Sequence, residues 1–436
     1  MERYKEYKDA GVEWLGEIPS HWKTVRISAL YDPRNEKASA EDYTPLSVTM
    51  QGIVPQLDTA AKSQDTDNRK LVRNGDFVIN SRSDRRGSCG IAHQDGTVSL
   101  ISNVLAPRDQ EGFSPEYYGL LFKSEGFADE YYRWGTGIVD DLWSTNWSRM
   151  KNILVAAPPI EEQRAIAEYI SSRASAIDSL IEETEKSIEL LEEYRKSVIS
   201  EAVSKGLDPD APMKDSGIEW IGEIPESWNP IPLKHLVESV ESGRSVDGAN
   251  HPAGPTEVGV LTLSSVYRAV FDPLANKAVD DPSLIELLKC SVKGNSLLVS
   301  RCNTSEWVGT AALVGADHKN LYLPDKIWQL RFPSWDLCRW IWYFLQSNYA
   351  REYFAINSVG ASSTMQNISK DDLLALITLV PSTHDIVQIL EELDSKMESI
   401  EFSEKRLSAL KELLAEYRKS LISEAVTGKL KVPEVV

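Results

Sequence analysis

The most chemically pointed residues of this chain lie in one short run. LVRNGDFVINSRSDRRGSCGIA (residues 71–92) and the two residues before it carry Arg69, Lys70, Arg73, Arg82, Arg85 and Arg86 against only Asp76 and Asp84. Asn80, Ser81 and Ser83 lie among them. Guanidinium forks clamp phosphate and pair bidentately with O6 and N7 of guanine, and short polar side chains add directional contacts. The chemistry on offer is binding rather than bond making. A similar run, CSVKGNSLLVSRCNTSEWVGTAALVG (residues 290–315), carries Arg301, Asn303 and Thr304 in the matching loop, with less charge. Two polar, glycine-bearing loops follow helix-like segments. One is GTG with Thr136, and the other spans residues 360–364 with Ser362 and Ser363. Small side chains there would let a phosphate approach the backbone closely.

Catalytic signatures are missing from the sequence. There is no GxxxxGK[ST] loop for ATP, no glycine-rich dinucleotide fingerprint and no GxSxG elbow. Nor is there an (N/D)PP(Y/F) motif of the methyltransferase kind. The six histidines sit in unrelated contexts. Cys89, Cys290, Cys302 and Cys338 form no CxxC pair, so packed reduced thiols are expected and no metal site. The net charge of −19 taken whole speaks against nucleic acid, but the acid is densest in two helical segments, which leaves the regions between them nearer balance. No run of about 18 apolar residues spans a membrane. The opening MERYKEYKDAG lacks the apolar stretch of a signal peptide, so a cytoplasmic protein without membrane contact is expected.

The elements that must position these loops are written twice. EYRKSVISEAVSKGL (residues 193–207) returns as EYRKSLISEAVTGKL (416–430), and DAGVEWLGEIPSHW (9–22) returns as DSGIEWIGEIPESW (215–228). The aromatic and glycine pattern of residues 114–137 is echoed in 337–360. A period of about 210–220 residues is too long for a solenoid and fits a domain plus a helix. After Pro158 and Pro159 a segment free of Pro and Gly runs to Lys205. Ile177, Thr184, Leu191 and Val198 recur in it every seven residues, with Leu180, Ile188 and Tyr194 as a flanking column. The second copy repeats the seam as Ile400, Leu407, Leu414 and Leu421, flanked by Leu410 and Tyr417. Helices of this length span about 65–70 Å, and two narrow apolar seams in one chain can bury each other as a coiled coil. The intervening regions alternate short β-prone runs, Gly-Asp or Gly-Asn turns and short helices, which predicts an α+β domain, repeated. The expected organisation is a domain over 1–159, a long helix over 160–206, a second domain over 207–380 and a second long helix over 381–430.

Taken in order, the duplicated half, the PPIEEQRAIAEYI helix opening, the EYRKS[VL]ISEAV helix end, the GEIP–W motif and the NGDFVINSR and KGNSLLVSR turns resemble the DNA-specificity subunit of type I restriction–modification systems. The resemblance spans nearly the whole chain. It implies two target-recognition domains separated by two long helices packed as an antiparallel coiled coil. Each domain would read one part of a bipartite, asymmetric site on double-stranded DNA. It also implies two methyltransferase subunits and, through them, restriction subunits as partners. S-adenosylmethionine and ATP would then belong to those partners, and this chain would hold no cofactor and catalyse nothing. Arg69, Lys70, Arg73, Asn80, Ser81, Arg82, Ser83, Arg85, Arg86 and Thr136 are the expected DNA contacts of the first domain, and Arg301, Asn303, Thr304, Ser362 and Ser363 those of the second. The second helix opening, PSTHDIVQIL, lacks the EQ of the first, so altered helix-end contacts are expected there. The rival reading from composition is a coiled-coil scaffold that joins two protein-binding domains and leaves DNA alone.

Overall fold

The computed structural model describes residues 2–56, 68–82, 86–108, 112–138, 143–218, 221–362 and 365–433. The chain divides into two compact units. One comprises Met1–Glu185 with Ser408–Val436, and the other Lys186–Leu407. The division cuts through both long helices, Ile160–Lys205 and Thr383–Val426. Each unit therefore holds one α+β domain, the near part of the helix that follows it and the far part of the other helix.

Each domain contains its own four-stranded sheet, and the two are built alike. In the first unit its strand order is Cys89–Ile91, Phe77–Asn80, Ser102–Pro107, Tyr31–Pro33, and all pairs are antiparallel. In the second it is Ala311–Val314, Ser296–Ser300, Ile327–Arg331, Ser239–Ser242, again antiparallel. The central strands FVIN and SLLVS are buried along their whole length, as continuous apolar runs should be. Each follows a turn that needs a left-handed residue, met by Gly75 in one copy and Asn295 in the other, the two residue types that tolerate it best. Buried Asp76 closes the first turn by accepting from Arg73 N at 2.8 Å and Arg34 Nε at 2.6 Å.

Beside each sheet lies a pair of short helices. Ser114 and Ser124 cap Pro115–Lys123 and Glu125–Arg133, and Ser334 and Ser347 cap Trp335–Gln346 and Asn348–Asn357. A strand from each domain's start pairs with one from its end, Lys23–Arg26 with Leu154–Ala157 and Asn229–Pro232 with Ile377–Val380. That pairing delivers the chain to the long helix.

The GEIP–W motif is the seat for a helix end. In the first unit Ile18 and Trp22 are fully buried with Leu421, Ala425 and Val426 from the end of the second helix and Leu430 just beyond it. Tyr117 Oη donates to Val426 O at 2.8 Å. In the second unit Ile224 and Trp228 share a core with Ile199, Ala202 and Val203 from the end of the first helix. The two duplicated phrases thus meet crosswise, each motif receiving the helix end written by the other half. The helix openings differ as expected. Buried Gln163 donates to Gly112 O and Pro158 O and accepts from Ser114 N, whereas Ile386 fills its place with an apolar side chain.

Within each unit the helix segments run antiparallel. In the first, Arg418 pairs with Asp178 at 2.8 Å and Lys411 with Glu185 at 2.7 Å, so one number falls as the other rises. In the second, Arg195 pairs with Glu404 at 2.6 Å. Ile177, Thr184, Ile400 and Leu421 are buried, and Leu191, Val198, Leu407 and Leu414 half-buried. The flanking column departs from expectation, because Leu180, Tyr194, Leu410 and Tyr417 are largely exposed. The second contact position falls four residues after each seam residue instead of three. It is held by Ile181, Ile188 and Arg195 on one helix and Glu404, Lys411 and Arg418 on the other.

Candidate nucleic-acid interface

The arginine-rich run of the first domain separates into two groups. Arg69 and Lys70 belong to the strand Arg69–Val72 in a second, three-stranded sheet. Arg69 is buried and donates to Thr97 Oγ1 at 3.0 Å and Thr97 O at 3.1 Å, and Lys70 donates to Ser102 O at 2.7 Å. Burial lowers the proton affinity of both. Arg73 is spent on Asp95 at 2.6 Å. These three cations are committed within the domain.

The remaining candidates converge. The backbone after Phe77–Asn80 bridges Arg82 to Ser144, and Ser144 bridges to Thr136, with Thr136 N donating to Ser144 O at 2.9 Å. Thr145 N donates to Ser81 O at 2.9 Å. Asn80 Oδ1 accepts from Arg82 N at 3.0 Å, and Ser81 Oγ donates to Ile101 O. Arg82, Arg86 and Thr136 are exposed around this junction. A Cβ on Gly135 would lie 2.2 Å from Trp143 Nε1, so the GTG loop reaches this place only with glycine at its first position. Ser83 and Arg85 lie outside the described residues.

The second domain repeats the convergence. Cys302–Asn303 pairs with Met365–Asn367, which pairs with Val359–Ser362. The loop after the central strand and the loop after the short helices again form one small sheet. Arg301 is exposed, and Asn303 Oδ1 accepts from Thr304 N at 2.9 Å. The backbone of Ser362 belongs to this sheet, and Ser363 lies outside the described residues.

No protein-family model matches the chain. Curated proteins do. The chain is 24% identical over 287 residues to the type I restriction enzyme EcoKI specificity subunit of Escherichia coli, covering 64% of this chain and 58% of that protein. Its curated relatives are type I restriction enzyme specificity subunits. The MjaVIII specificity subunit of Methanocaldococcus jannaschii is 27% identical over 256 residues, covering 56% of this chain and 55% of that one. The chain thus spans less than two thirds of the length of these two relatives. The putative MjaX specificity subunit of the same organism aligns over 99% of both chains at 21% identity. The fold is that of solved specificity subunits. The HsdS subunit of Thermoanaerobacter tengcongensis superposes with a TM-score of 0.53 at 15% identity, covering 95% of this chain and 98% of its own. A chain from a structure concerned with assembly and conformational transition of the type I R-M system gives 0.69 at 12% identity, covering 95% and 99%.

In this specificity-subunit fold the second domain's candidate loop has a support that lies far from it in the sequence. Arg351, on a short helix of the second domain, donates to Glu306 O at 2.6 Å and Val308 O at 2.8 Å. It pins the loop that begins at Arg301. Burial lowers its guanidinium to about 10. Nothing in the spacing of REYF marks it, because its partners are backbone carbonyls more than forty residues away. Arg351→Ala should lower the stability of this unit by about 2–4 kcal/mol, the scale of two charge-assisted hydrogen bonds. Denaturant unfolding reads this directly, and an unchanged midpoint would mean that the loop is held by other contacts. Among the described residues no group of three or more His, Cys, Asp or Glu side chains is placed to hold a metal, and no helix is long and apolar enough to cross a membrane.

Proposed function

We propose that this chain reads DNA for a type I restriction–modification enzyme. Each unit engages one part of a bipartite, asymmetric site on double-stranded DNA. The chain gathers two methyltransferase subunits and, through them, restriction subunits, while methyl transfer and ATP-driven chemistry stay with those partners. The observation that carries the reading is the double convergence. In both domains the polar loop after the central strand is bridged to the loop after the short helices, and both present exposed arginine. A mismatch at each base pair costs about 1–3 kcal/mol, so two readers on one chain discriminate better than one.

The partner surface has support of its own. Leu190 and Tyr194 are 56% and 53% exposed in one unit, and Leu413 and Tyr417 are 62% and 44% exposed in the other. Tyr194 and Tyr417 hold the same place in the repeated phrase, and Leu190 and Leu413 lie one turn before them, so each unit carries one copy of an apolar face fit for a protein partner. Two copies match two methyltransferase subunits.

The test is DNA affinity of the chain assembled with its methyltransferase at a series of salt concentrations. Phosphate contacts demand a steep fall of affinity with salt. Arg82→Ala and Arg301→Ala should each lower affinity and reduce the salt slope by about one, with assembly intact. A flat salt response in the unmutated complex would favour the scaffold reading that the acidic composition suggests.

A further inference from the structure

The second domain's candidate loop is poor in charge, with Arg301 its one cation, and the fold brings it another from far away. The segment Leu263–Ala269 carries two consecutive left-handed residues that are not glycine, Arg268 at φ 53° and Ala269 at φ 59°. Such backbone is costly and persists only where its surroundings hold it. Here the indole of Trp342 donates to Ala269 O at 3.2 Å, and Val270 N donates to Tyr267 O at 3.2 Å. The result is to put Tyr267 and Arg268 on the surface beside the loop. The Tyr267 ring lies 5.0 Å from the ring of Trp307, a residue whose backbone N–H donates to Thr304 O, and the Arg268 guanidinium lies 5.5 Å from the Tyr267 ring. Among the described residues no carboxylate forms an ion pair with Arg268.

The first domain builds a similar stack from unrelated positions, with its arginine also paired to Asp129 at 3.5 Å. Arg86 lies over the Tyr132 ring at 3.6 Å, Tyr132 packs on Trp143 at 5.5 Å, and Trp143 adjoins Ser144, which bridges to Arg82. The duplication does not explain this likeness, because the echo of residues 114–137 in 337–360 sets Tyr132 against Ala355. Both domains thus arrive independently at an exposed arginine within cation–π range of a tyrosine that is backed by a tryptophan, next to the candidate loop.

A phosphate needs only charge, and a lysine or a free arginine supplies it. A guanidinium held against a ring keeps its plane and directs its fork outward, which is what bidentate reading of a base requires. Resting on the proposal that this chain reads DNA, we infer that Arg268 is a base-reading residue of the second domain. Its fork pairs with O6 and N7 of one guanine in the part of the site that this unit engages, with Tyr267 as its positioning residue.

The test uses the full chain assembled with its methyltransferase subunits and a library of DNA sites, read by which sequences become methylated. Arg268→Lys keeps the charge and an equal backbone cost but removes the fork. It should lose roughly tenfold or more of its discrimination at one guanine, in one part of the site only, with every other position unchanged. Tyr267→Ala should reduce discrimination at the same position, and Tyr267→Phe, which keeps the ring, should restore it. Unchanged base preference in Arg268→Lys overturns the inference, and so does an equal fall in methylation on every sequence, which would mark a phosphate contact. In both cases the unmutated complex remains selective and the DNA-reading proposal stands. An unmutated complex with no sequence preference overturns that proposal and the inference with it.

Discussion

Cutting the chain after Leu207 is expected to give an obligate dimer that modifies a palindromic bipartite site. The reason lies in the exchanged helix ends. The first domain's core is completed by Leu421, Val426, Leu430 and Val432 from the far end of the chain. Burial of side chains of this size contributes roughly 1.5–3 kcal/mol each, a sum comparable to the whole stability of a domain, ~5–15 kcal/mol. Without them Ile18 and Trp22 face water, and Lys429 no longer donates to Leu15 O. The shortened chain still carries EYRKSVISEAVSKGL, whose Ile199, Ala202 and Val203 do the same work for the other motif in the intact protein. In a second copy this helix end can fill the empty seat, and the exchange made both ways closes a twofold dimer. Molar mass in solution and methylation of a site library, with methyltransferase present, check it. A stable folded monomer, or a dimer that modifies asymmetric sites, would show that the two seats are not interchangeable.

Charge placed in the helix seam should be nearly as damaging, and the structure grades the positions. Leu421→Asp puts a carboxylate at a site 2% exposed and should cost at least about 3–5 kcal/mol, from the lost packing and the unpaired buried charge. Leu407→Asp, half-buried, should cost less. Leu413→Asp, on the exposed face of the same helix, should leave the melting temperature nearly unchanged and weaken methyltransferase assembly instead. Thermal unfolding and copurification of the methyltransferase separate the three. Equal melting temperatures for Leu421→Asp and Leu413→Asp would show that the seam does not bury Leu421.

The sequence alone determined the features that depend on local order and on repetition. The duplication, the two long helices with their Pro and Gly limits, the Gly-Asp and Gly-Asn turns before buried strands and the seven-residue seam follow from spacing and residue type. Contacts between distant residues decided the rest. Arg69 and Arg82 look alike in a count of charges, but the strand Arg69–Val72 turns one guanidinium inward onto Thr97, while the bridge to Ser144 leaves the other on the surface. Tyr194 and Tyr417 look like seam residues at a three-residue offset, but helix packing fills the position four residues on and leaves them exposed. Arg268 and Arg351 lie far along the chain from the loop they sit beside, and no local pattern announces them. The crosswise seating of the helix ends was equally hidden. A motif and the phrase that buries it can be written in either half, and only packing shows which copy of the phrase each Trp receives.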